Sequence, residues 1–179
     1  VPGALVRRVA GVRGGRRGGV LGGVAVGGMV GAIGGSVEAV AVGGLGFQNM
    51  VFVDGFATFF RILVLVVGLL TVFSSVQYLD REKANAGEYY ALMLFSLAGM
   101  MLMATATDLL VIFLALEVMS IGVYILTGIR RDSALSTEAA FKYFLLGAFS
   151  SAFFLYGIEF TYVLTGSTRL ARTGLLASA

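Results

Sequence analysis

Cysteine and histidine are both missing from the 179 residues, and only 13% of positions carry charge. The first absence excludes disulfides and thiolate metal sites, and the second excludes His-ligated haem and every His-dependent catalytic arrangement. Proton chemistry is left to Asp, Glu, Lys, Arg, Tyr or water. There is no Gly-Lys-Ser/Thr run, so a phosphate-binding loop is not read. What the chain has is apolar length: 58% of residues are hydrophobic and the mean hydropathy is +0.94. That balance lies outside the soluble range and predicts an all-α, polytopic membrane helix bundle of about five spans with short loops.

The formal charge of +3 comes largely from Arg7, Arg8, Arg13, Arg16 and Arg17 in a basic segment at 1–17. Beside an apolar run such a cluster marks a cytoplasmic flank, and nucleic acid is not expected as a partner. The chain opens on Val1 and not on Met, so this residue need not be a native start. Residues 18–46, Gly, Val and Ala with one charge at Glu38, form a Gly-rich span, with a signal peptide as the alternative. Further spans are expected at about 55–79, 89–107, 109–129 and 138–165, followed by a small, polar tail at 171–179. Asp108 reads as a helix cap, as do Ser136 or Thr137, with Glu138 in the first turn that follows. Lys and Arg cluster before the first span, in the 80–88 loop and at Arg130/Arg131, so these connections are assigned to the cytoplasm.

Charges inside the spans are the candidate functional groups. In "VIFLALEVMSIGVYIL", Glu117 follows Asp108 by nine residues, which puts it roughly 13 Å into the bilayer. A charge at that depth costs about 2.5–3.5 kcal/mol on insertion scales and therefore faces a bundle interior or a wet cavity. There a carboxyl group is suited to taking up and releasing a proton, because low dielectric favours its neutral form and a nearby cation its charged form. Lys142 is the candidate partner, but counted from the same membrane face it differs from Glu117 in depth by roughly 10 Å. A water link is easier to build than a direct ion pair, and snorkelling of Lys142 is the plain alternative. Arg61, roughly 10 Å from the other face, and Glu159, in the last span, are secondary candidates. The Met and Phe residues of "LMLFSLAGMMLM" read as packing and lipid-facing surface.

"DLLVIFLALEVMSIGVYILTG" followed by "STEAAFKYFLLGAFSSAFFLYGIEFTYVLTGST" closely resembles the subunit N (subunit 2) family of proton-pumping NADH:quinone oxidoreductase. The intramembrane Glu after Asp-Leu-Leu and followed by Ser and Tyr, the Lys-Tyr-Phe-Leu-Leu-Gly run and the 25-residue gap from Glu117 to Lys142 carry the resemblance, which extends over about 51–170. It implies an antiporter-like fold built from inverted repeats, here its second to sixth helices, in a bacterial inner membrane. Glu117 looks like the family's essential glutamate and Lys142 like the lysine on the next helix. Partners implied are the lipid bilayer, other membrane and peripheral subunits, and quinone. NADH and quinone would be used by the whole complex, with no cofactor, metal or redox site in this chain. The family's first helix and its later lysine-bearing broken helix have no counterpart in these residues, so the chain is read as a fragment or truncated frame. The alternatives are a multisubunit cation/proton antiporter, a membrane-bound hydrogenase subunit, or a helix-packing assembly protein whose buried charges fix register.

Overall fold

The computed structural model describes residues 2–42, 44–46, 48, 50–82 and 84–171, without the side chains of 2–18, 40–42, 45, 46 and 80. The N-terminal arginine side chains and most of the polar tail, 172–179, thus lie outside the described residues. Five helices follow one another: α1 Pro2–Val42, α2 Gly55–Glu82, α3 Ala86–Thr105, α4 Leu109–Thr127 and α5 Ala134–Thr165. Each contains a stretch long and apolar enough to cross a membrane, Gly19–Ala39 in the case of α1. The protein is therefore a multi-pass membrane protein. Helices are the natural result, since hydrocarbon offers no partner to an unpaired backbone group. Even the Gly-rich tract is helical, as one continuous helix with the basic segment.

Short connections make α2 to α5 run alternately up and down. Two caps set the start of the pair that matters most. The carboxylate of Asp108 accepts from the Leu110 amide at 2.9 Å to start α4, and the Ser133 hydroxyl accepts from the Ser136 amide to start α5. The α5 cap is Ser133 and not the expected Ser136 or Thr137, because the Ser136 hydroxyl is engaged in donating to the Thr127 carbonyl at 2.7 Å. Glu138 consequently lies beyond the first turn, where it pairs with Lys142.

A core of Ala25, Met29, Leu65, Val72, Met93 and Leu97 joins α1, α2 and α3. The α3–α4 crossing is closer still. A methyl group on Gly99 would lie 2.6 Å from the Met119 nitrogen, and one on Gly122 would lie 2.9 Å from the Leu92 oxygen. Small residues permit such approach, which matters where packing and not water expulsion must hold helices together. Helix α5 packs on α4 along one edge and leaves Phe141, Phe149, Phe153 and Phe160 exposed.

The end where α3 meets α4 carries a feature absent from the sequence reading, an antiparallel hairpin of β1 Gly44–Gly46 and β2 Val51–Val53. It extends by backbone pairing from Val51 to Ala106 and from Asp108 to Arg169. At the opposite end two ion pairs tie the basic loop to its neighbours, Arg130 with Glu82 at 2.9 Å and Arg131 with Glu88 at 2.8 Å. The hydrogen bond that Arg130 donates to Glu82, and then the Glu82 charge, hold the Arg130 guanidinium above its ordinary range.

Candidate proton-transfer site between α4 and α5

Glu117 is placed by the α4 cap. Nine residues after Asp108, on a helix of nineteen, it falls near mid-span, roughly 13 Å from the helix start. Its carboxylate is half-buried and accepts a hydrogen bond from the Ser151 hydroxyl of α5. The bond fixes the side chain toward α5.

Lys142 is on the same helix as Ser151 but nine residues earlier, or roughly 13 Å along the axis. Its ammonium pairs with Glu138 one turn back, and 72% of its side chain is exposed. The structure thus joins Glu117 to Ser151 and separates it from Lys142. The expected mismatch in depth is the reason: a lysine stem cannot span that distance. Arg61 is half-buried on α2, and Glu159 is exposed near the hairpin end of α5. Neither has a hydrogen-bond or ion-pair partner among the described residues, and neither reaches the Glu117–Ser151 pair. Glu38 is exposed on α1.

Three groups to which sequence reading gave no role complete the site. Ser120 and Tyr124 follow Glu117 at i+3 and i+7, the spacing that puts side chains on one helix face. Ser150 lies beside Ser151. Together with Leu116, Gly147 and Phe154 they line a cavity of about 250 Å³ between α4 and α5. That volume accepts several waters, and the hydroxyls of Ser120, Ser150 and Tyr124 supply polar groups for them. A half-buried carboxylate next to such a cavity can exchange a proton with water held there. Among the described residues no group of three Asp, Glu, His or Cys is close enough to hold a metal.

Residues 106–177, which include the whole of this site, match the family described as NADH:quinone oxidoreductase/Mrp antiporter, transmembrane. NADH-quinone oxidoreductase subunit N 1 of Solibacter usitatus is 50% identical over 139 residues, 78% of this chain and 29% of the relative. Subunit N of Trichlorobacter lovleyi is 52% identical over 132 residues, 74% of this chain and 27% of the relative. The chain belongs to the antiporter-like subunit N family.

Solved structures agree. Respiratory complex I from Thermus thermophilus, solved with bound aureothin, contains a chain that matches with a TM-score of 0.73 and 32% identity, covering 93% of this chain and 37% of that one. An archaeal membrane-bound sulfane sulfur reductase matches with a TM-score of 0.74 at 21% identity, covering 94% of this chain and 39% of that one, a likeness of fold alone. The chain spans 27–29% of the length of these two curated relatives. Within the antiporter-like family, then, the described residues supply five helices and, near the middle of α4, an acid with a hydroxyl partner on α5.

Proposed function

We propose that this chain belongs to the proton-translocating membrane arm of an NADH:quinone oxidoreductase in a bacterial inner membrane, with Glu117 as the group that takes up and releases the proton. The observation that carries this is the mid-span Glu117 carboxylate, held by Ser151 beside a hydroxyl-lined cavity. Uptake neutralises the carboxylate, and release restores an anion that the Ser151 hydroxyl steadies. Lys142 acts at a distance. Its charge alternates between pairing with Glu138 and drawing protons toward the crevice, and water carries them over the roughly 13 Å between the two levels. The basic end, with Arg130 and Arg131, faces the cytoplasm. Arg61 and Glu159 are secondary charges toward the other face.

The energy for transfer comes from quinone reduction on other subunits, and NADH and quinone chemistry are assigned to those partners, with no cofactor held by this chain. The family description also names Mrp antiporters, but the 50% and 52% identities to subunit N favour the oxidoreductase. Glu117→Gln in the complex assembled with this chain is expected to lower protons moved per NADH oxidised, with assembly intact. Loss of assembly with an unchanged ratio in the remaining complex would instead make the buried acid a packing element.

A further inference from the structure

A second cavity, of about 540 Å³, lies between α4 and α5 on the side of the basic loop, where Arg131, Thr137, Ala140 and Phe144 line it. Tyr124 also lines it, and Tyr124 is the one residue shared with the deep cavity beside Glu117. Resting on the reading of Glu117 given above, we propose that Tyr124 is the partition between an inner access cavity and the Glu117 chamber, and that its hydroxyl hands protons from one to the other.

The ring is held from three sides. It stands edge-on to Tyr143 at 4.8 Å and to Phe144 at 5.9 Å. On the third side its hydroxyl end lies directly over Gly147, in space that a Cβ on that residue would occupy. Gly147 therefore makes the seat that lets the phenol reach across to α5. A ring so placed fills the α4–α5 crevice between the two openings with an apolar body, while its O–H is the only polar atom it offers. Tyr143 is the neighbour of Lys142 in sequence, so the partition sits at the level between Lys142 and Ser151.

The transfer needs only water on either side. An excess proton entering from the basic-loop side arrives as hydronium in the inner cavity and binds the lone pair of the phenolic oxygen, leaving neutral water behind. The original phenolic proton leaves to a water of the deep cavity and then to the Glu117 carboxylate. One O–H bond forms as another breaks, and the tyrosine ends unchanged. Tyr124 is thus a relay residue, while Gly147 is a positioning residue.

Two variants separate the functions of ring and hydroxyl in the assembled complex. Tyr124→Phe keeps the ring and removes the relay. It should slow proton pumping about tenfold, less than the ~10²–10⁴-fold of a direct acid–base group because water partly substitutes. Tyr124→Ala removes the partition. The chain has no native cysteine, so Ser120→Cys in the deep cavity can be labelled selectively within it. A trimethylammonium methanethiosulfonate added from the basic-loop side should label this site at least about tenfold faster when Tyr124→Ala is also present, and no faster with Tyr124→Phe. The proposal is overturned if Tyr124→Phe pumps normally, if it loses pumping only in proportion to lost assembly, or if Tyr124→Ala leaves labelling unchanged. Glu117→Gln, run alongside, reports on the parent reading: normal pumping there would remove Glu117 from the path, whereas labelling reads the partition independently of it.

Discussion

Replacing Gly99 with alanine tests the packing that holds α3 against α4, and the size of the effect can be worked from the crossing. The added methyl would lie 2.6 Å from the Met119 nitrogen, 2.8 Å from the Ala115 oxygen and 3.0 Å from the Met119 Cα. All three are backbone atoms, so no side chain can rotate out of the way. Restoring an ordinary contact of ~3.5 Å requires the helices to separate by roughly 0.5–0.9 Å along that line. Overpacking of this kind costs about 1–3 kcal/mol, and the gain of alanine over glycine in a helix returns about 0.5–1 kcal/mol of it. A net loss of about 0–2.5 kcal/mol is expected. Gly31, which has nothing within 4 Å of its notional methyl, is the control, and its change to alanine should stabilise by about 0.5–1 kcal/mol. Detergent titration in mixed micelles, read by a fluorophore pair on cysteines introduced at the ends of α3 and α4, measures both. If Gly99→Ala proves as stable as Gly31→Ala, the close-approach reasoning fails.

Asp108→Ala should loosen the hairpin end. Asp108 is 2% exposed and loses both the Leu110 amide and the Thr168 hydroxyl, at 2.9 and 2.7 Å, a combined cost of about 2–3 kcal/mol. Faster proteolysis after Gly166 would report it, with Thr168→Val giving a smaller effect. Arg130→Gln should produce a lesser loss of stability than Asp108→Ala, and one that disappears in high salt because the Arg130–Glu82 pair is partly exposed. The Arg130 guanidinium is held above its ordinary range, so its contribution to that pair is fully present below its unfolded-state value and is lost only as pH rises through the folded one. A titration across neutral pH should therefore show no loss of the pair through arginine. A salt-independent deficit would refute the surface reading.

The spans were legible because bilayer thickness and hydrophobic length are the same constraint. So was the place of Glu117 near the middle of its helix, and residue counting alone separated it from Lys142. Which way each helix faces was harder. Ser120 and Tyr124 have the right spacing from Glu117, but the helical hydroxyls in these spans commonly bond back to their own helix, as Ser150 does to Leu146 and Thr161 to Gly157. Only the packing of α5 reveals that Ser151 reaches across. Gly147 reads as one small residue among many until the phenol of Tyr124 is placed over it. The hairpin at 44–53 was invisible because strands of three residues, two glycines among them, carry no alternating pattern. The start of α5 depended on which of three hydroxyls was already engaged, a tertiary matter.

The most direct test of the account is infrared difference spectroscopy of the assembled complex during turnover, comparing native chain with Glu117→Gln. A protonated-carboxyl C=O band should appear and decay with turnover, shift in deuterium oxide and be missing from the variant. A band that persists unchanged in Glu117→Gln would assign the mobile proton to another acid and contradict it.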